Sequence, residues 1–324
     1  MAESVQPGGS RAPQLVRTAR LVNAAQIASD TEVRQSPNGV SFATFGETGL
    51  ADLDLDRMLE AVPTSITAAL KANTYYFVPL ALREASETMD APETAETSLS
   101  ATQPTMVASA YTDEFSDAAI CHRNVELGHG KRGVFISTRL MGDRFALSFE
   151  FFINVAHAFV DQAGIPQAFA DLVWKQALNG VRGETSIDAW ESRNLAFGRA
   201  PNAQPEAEVP MSRRNRGALA SFSARSRAFA SAAEGRSLAQ VSASAEQGTS
   251  VNEKERGAYL EAAFSDAVAM YLLSLALDYD YSELREREYP LLAPSALAAR
   301  LRAVAEMYPP NAGYEFAVRY RRKA

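Results

Sequence analysis

Residues Glu150 to Gly164 read EFFINVAHAFVDQAG, and the fold turns on what that stretch is. Asp143, a good N-cap, opens a helix that runs through Phe149, Phe152, Val155, Ala156, Phe159 and Val160 and stops at Gly164, with Pro166 just beyond. Apolar side chains go almost all the way round, so the helix is predicted to be buried. Its layout is that of the H-E-x-x-H helix, in which two His one turn apart hold zinc and the Glu beside the first acts as general base. Here those three positions read Ile153, Asn154 and His157. One metal-binding side chain is kept, and the base has become an amide with no useful pKa.

The rest of the chain arranges itself around this helix. Downstream, Gln167 to Asn179 places Phe169, Leu172, Val173 and Leu178 on one side of a second helix ending at Gly180, which predicts a helical hairpin. Upstream, YYFVPLAL, PTMVASAY, AAICHRNVEL and GVFISTRL read as strands, with turn residues in DEFSD and GHGKR between the last three, and together predict one small mixed sheet. Before them, LDLDRMLEAV and SITAALKA have helical spacing, interrupted by Pro63. Beyond Glu253, ERGAYLEAAFSDAVAMYLLSLALD is a long apolar helix; after Pro290 and Pro294, Ser295 caps SALAARLRAVAEMY. The class is α+β, with a helical C-terminal half. Four segments are expected: a flexible N-terminal arm at 1–39, the sheet and its central helix at 40–182, a low-complexity insertion at 183–252, and C-terminal helices at 253–324 that complete the same domain. The Glu-, Thr- and Ser-rich text at 84–103 reads as an exposed loop, and the tail, YEFAVRYRRKA, ends basic.

A chain of 324 residues, 47% of them hydrophobic, can bury a real core. The net charge of −7 argues against broad nucleic-acid binding. A single cysteine, Cys121, excludes an intrachain disulfide, and the first thirty residues lack the apolar core of a secretory signal, so a cytoplasmic location is expected. The greasiest segments carry Glu150, His157 or Asp266 inside them, and no membrane crossing is expected.

Three histidines, His122, His129 and His157, are the whole imidazole supply. On helical spacing, Glu150, Asn154, His157 and Asp161 fall on roughly one face. The plain reading is a core histidine satisfied by Asn154 or Asp161, since buried polar groups must find partners. The sharper reading is a metal site assembled from His157, Asp161 and either His122 or Asp266. Cys121 and His122 are adjacent in a strand and point to opposite faces, so they make no nucleophile and base pair. GHGKRG lacks the spacing and the Ser or Thr of a phosphate loop. The arginines between Arg213 and Arg236 read as solvated charge on flexible chain.

The order of parts resembles the catalytic domain of anthrax lethal factor and related single-domain zincin metallopeptidases. VFISTRLMGDRFALSFEFFINVAHAFVDQAG resembles the edge strand and active helix of that family, AYLEAAFSDAVAMYLL its Glu-bearing helix, and APSALAARLRAV its closing helix. The resemblance covers about Leu53 to Tyr308, interrupted by the insertion. It places the first His on Ile153, the base on Asn154, the second His on His157 and the ligand Glu on Ala262, with Glu261 about 100° away on the helix. Asp266 matches the acid that supports a His ligand, which implies a His157 to Asp266 hydrogen bond. What the resemblance implies is a catalytically inactive zincin-like domain with no cofactor, acting in protein binding or assembly through its old cleft, the insertion or the termini. The enzyme alternative is a hydrolase with a rearranged zinc site around His157. A further alternative is a structural subunit of a larger assembly, with residues 1–39 as an arm.

Overall fold

A computed structural model of the chain describes residues 20–83, 105–203, 251–281 and 289–318. Residues 1–19 of the expected arm, the expected loop at 84–103, the arginine-rich part of the insertion and the last residues of the basic tail lie outside the described residues.

The N-terminal half alternates strands with helices. β1 (Leu21–Asn23), α1 (Ala24–Asp30), β2 (Arg34–Gln35) and β3 (Ser41–Thr44) come first, so residues 20–39 are built into the fold where an arm was expected. A crossover of α2 (Asp52–Glu60) and α3 (Thr64–Thr67) then leads to β4 (Asn73–Val78). β4 lies parallel to β3, with Tyr75 opposite Phe42, and parallel to β9 (Lys131–Ser137), with Tyr75 opposite Val134. Its run of buried side chains on both faces is what a central parallel strand requires.

The expected single sheet is two. YYFVPLAL divides at Pro79, which has no N–H to give a ladder, into β4 and β5 (Leu80–Leu82). β5 belongs to a small antiparallel sheet with β1, β6 (Met106–Ala108) and β7 (Ala119–Ile120), in the order β1-β6-β5-β7. The larger mixed sheet runs β2-β3-β4-β9-β8, ending in the antiparallel strand β8 (His122–Gly128). A short helix, α4 (Asp113–Ser116), sits between β6 and β7. The hairpin joining β8 to β9 turns at His129, whose φ of 51 is flanked by Gly128 and Gly130 at 81 and 71, a left-handed run that glycine makes affordable. Ser137 ties the two sheets: its Oγ donates to the Ile120 carbonyl at 2.5 Å and accepts from the Ala81 N–H at 2.7 Å.

Alternation sorts the mixed sheet into two faces. Tyr75, Phe77, Val134 and Ile136 face the main core, while Tyr76, Val78 and Phe135 face α1 and the small sheet. On the core side lies α5 (Arg144–Ala163), the helix anticipated from the central stretch. Asp143 caps it by accepting from the Ala146 N–H, and Gly164 at φ 70 ends it. Phe151 meets Tyr75 edge-on at 5.1 Å. α6 (Gln167–Leu178) follows as the second arm of the hairpin, then α7 (Ile187–Ala196), which occupies text expected to be low-complexity insertion. α8 (Glu253–Ala276) is the central helix of the C-terminal half, with Phe264 packed on Phe169 at 4.8 Å and on Phe159 at 6.4 Å. By length and composition α8 is able to span a membrane, but 67% of its apolar window is buried inside the protein, the mark of a core helix. α9 (Pro294–Met307) closes the core. The protein is mixed α+β, as expected.

Candidate functional site

The polar face of α5 divides along its length. Glu150 and Asn154 are buried, while His157 and Asp161 are exposed. The Glu150 carboxylate accepts at Oε1 from His122 Nδ1 at 2.6 Å, across from the first residue of β8. Asn154 Nδ2 donates to the same oxygen at 3.1 Å and to the Glu150 carbonyl at 2.8 Å. A carboxylate only accepts, so His122 presents a protonated Nδ1 to it. Burial makes each of these bonds stronger than it would be in water, and makes each partner costly to remove.

His157 is where the sequence reading fails. It is exposed, and it hydrogen-bonds neither Asn154, whose amide is spent on Glu150, nor Asp161. Asp161 instead lies 3.8 Å from Arg132 on β9. Although solvent reaches the His157 ring, the protein around it, and then the neighbouring His122, hold its pKa below the ordinary imidazole value. The carboxylates of Asp161, Asp188 and Glu150 pull the other way. Nearby on α8, Glu261 is raised, by partial burial first and by the charge of Asp161 second.

Asp266 does not support His157. Its buried carboxyl accepts from Thr185 Oγ1 at 2.7 Å and from the Ser186 hydroxyl. Ser186 also caps α7 by accepting from the Ala189 N–H. Burial lifts the Asp266 pKa to about 7; the two hydroxyl bonds hold it back and the Asp188 charge adds to the rise. The expected His157 to Asp266 bond is therefore replaced by bonds to the segment leading into α7.

Among the described residues no three His, Cys, Asp or Glu side chains are grouped so that they could hold a metal ion: His122 is bonded to Glu150, Asp266 to Thr185, and Asp161 lies by Arg132. Ile153 and Ala262 pack as apolar side chains against the main core.

The most elaborate polar cluster was not foreseen. Glu184, wholly buried, accepts from Arg193 Nη1 at 3.0 Å and the Tyr259 hydroxyl at 2.7 Å on Oε1, and from Arg300 Nη1 at 2.9 Å on Oε2. Arg300, also wholly buried, donates through Nε to Gln176 Oε1 at 2.8 Å and through Nη2 to Tyr259 at 3.2 Å. Burial opposes the Arg300 charge, but Glu184 and Tyr259 outweigh it and its pKa is raised. The group joins α6, α7, α8 and α9 to the segment before α7. A periodicity signal was present for two members: Arg300 falls among Leu297, Leu301 and Val304, and Gln176 among Phe169, Val173 and Ala177, on faces otherwise apolar. For Glu184, in irregular text, there was none.

Comparison with protein-family models, with curated proteins and with solved structures finds no match.

Proposed function

We propose that the chain is a zincin-like domain that does not hydrolyse peptides and acts by binding an extended segment of a partner protein beside α5. One observation supports this above others: the polar side chains nearest the base position are engaged with one another, His122 and Asn154 both on Glu150. With Ile153 and Ala262 given over to packing, the usual means of activating a water is missing. An edge strand survives beside the cluster. β8 ends its sheet, and its first residue is the His122 that bonds α5, so a peptide added to that edge would gain main-chain hydrogen bonds next to the cluster.

The test uses the purified full chain and a random-sequence peptide library. Expected are no cleavage with or without added zinc, and saturable binding of peptides that is abolished when alternate peptide nitrogens are methylated. Stoichiometric zinc that disappears in His157→Ala, together with zinc-dependent cleavage, would overturn the reading in favour of a rearranged hydrolase site.

A further inference from the structure

A cavity of about 410 Å³ lies where the loops following the parallel strands β3 and β9 meet. The carboxyl ends of parallel strands are where open α/β sheets place their ligands, and the volume lies in the range of small-molecule pockets. Two helices begin here. α5 opens at Asp143 and Arg144, and α2 opens at Ala51 with no side-chain cap, so the positive dipole ends of both helices lie at the lining.

Asp54, Asp143, Arg139 and Arg144 line the cavity, so its formal charges balance, but the four are not equally engaged. Asp54 pairs with Arg144 at 3.1 Å, and Asp143 is engaged in capping α5. Arg139, exposed in the wall, has no ion pair or side-chain hydrogen bond among the described residues. Its guanidinium lies across Gly49, where a Cβ would stand 2.5 Å from Nη1. A second polar group also lacks a partner: Ser148, only 3% exposed, lines the cavity, and its hydroxyl makes no hydrogen bond among the described residues. Its Oγ is thus available to a ligand that enters the cavity. Opposite the polar groups, Leu50, Leu55, Met58 and Leu147 supply an apolar wall.

We propose that this cavity binds a small organic anion, its phosphate or carboxylate head held by Arg139, Ser148 and the opening turn of α5, and its apolar body against the leucine and methionine wall. The site uses neither His122 nor Glu150 and does not rest on what that cluster recognises.

Calorimetric titration of the full chain with phenyl phosphate and, separately, benzoate tests it. At least one of the two is expected to bind one-to-one with a dissociation constant of about 1 mM or tighter, and which one binds identifies the head group. Phenol, the same ring without the charge, should bind about tenfold more weakly or worse. Arg139→Ala should weaken the bound probe about tenfold or more, with Arg139→Lys recovering part of the loss, and Ser148→Ala should weaken it as well. His157→Ala should leave it unchanged. Failure of both probes to saturate, or binding by Arg139→Ala or Ser148→Ala as tight as by the unaltered chain, overturns the proposal. Arg139 is exposed, so its variants test the site without disturbing the core.

Discussion

Glu184 is the residue on which most depends and about which the sequence says least. It holds two guanidinium groups and a phenol in a space without solvent, so removing its charge leaves Arg193 and Arg300 buried and uncompensated. Glu184→Gln should cost about 3–5 kcal/mol in urea unfolding, far above a typical surface change. Asp266 carries the opposite kind of strain. Its carboxyl keeps a proton to about pH 7 in the folded chain but only to its ordinary value of 3.8 when unfolded, so the folded state binds more protons in between. Stability should therefore fall as pH rises from about 4 to about 7, and level off above. Asp266→Asn should abolish that slope and, relative to pH 4, gain up to about 4 kcal/mol over the unaltered chain at pH 8, read from unfolding curves across that range. Of the site, the sequence made legible which side chains share a face of α5. It could not show which of them would be covered. Coverage comes from β8, whose His122 reaches Glu150 from 28 positions away, and periodicity along one helix carries no trace of such a partner.

Elements were easier to read than residues wherever local chemistry decides them. α5 starts at its Asp143 cap and stops at Gly164, and α8 begins behind the Asn252 cap, whose side chain accepts from the N–H groups of Lys254 and Glu255. The failures were places where tertiary pairing takes over. Pro79 switches the chain between sheets, and the segment 182–185 gains its order from a distant partner: the Glu184 N–H donates to the Pro290 carbonyl at 3.0 Å and the Leu292 N–H to the Glu184 carbonyl at 2.9 Å. Gly183 makes that approach feasible. At φ 78, a Cβ there would stand 2.0 Å from the Leu291 carbonyl oxygen. Gly183→Ala should thus lower the unfolding temperature well beyond Gly198→Ala, which shares a left-handed φ of 66 but meets nothing within 4 Å. The control isolates backbone strain of about 1–2 kcal/mol from the lost pairing.

At the scale of the molecule, the α+β class was legible from composition and period, but the division into two sheets was not, because the seam is a hydroxyl. Ser137 bridges the Ala81 N–H and the Ile120 carbonyl. Ser137→Ala leaves both groups buried without that partner and should cost about 1–3 kcal/mol by urea unfolding, while Ser137→Thr retains a hydroxyl at the seam. Closure of the main core has a different dependence. α8 packs against α5, α6, α7 and α9, yet its residues come after two hundred and fifty others in the chain. As the polypeptide leaves the ribosome, the greasy flanks of α5 and α6 are made long before the helix that covers them. Until residue 276 has emerged, α5 has the mixed sheet on one side but lacks α8 on the other, and that uncovered flank is a surface on which the nascent chain can aggregate.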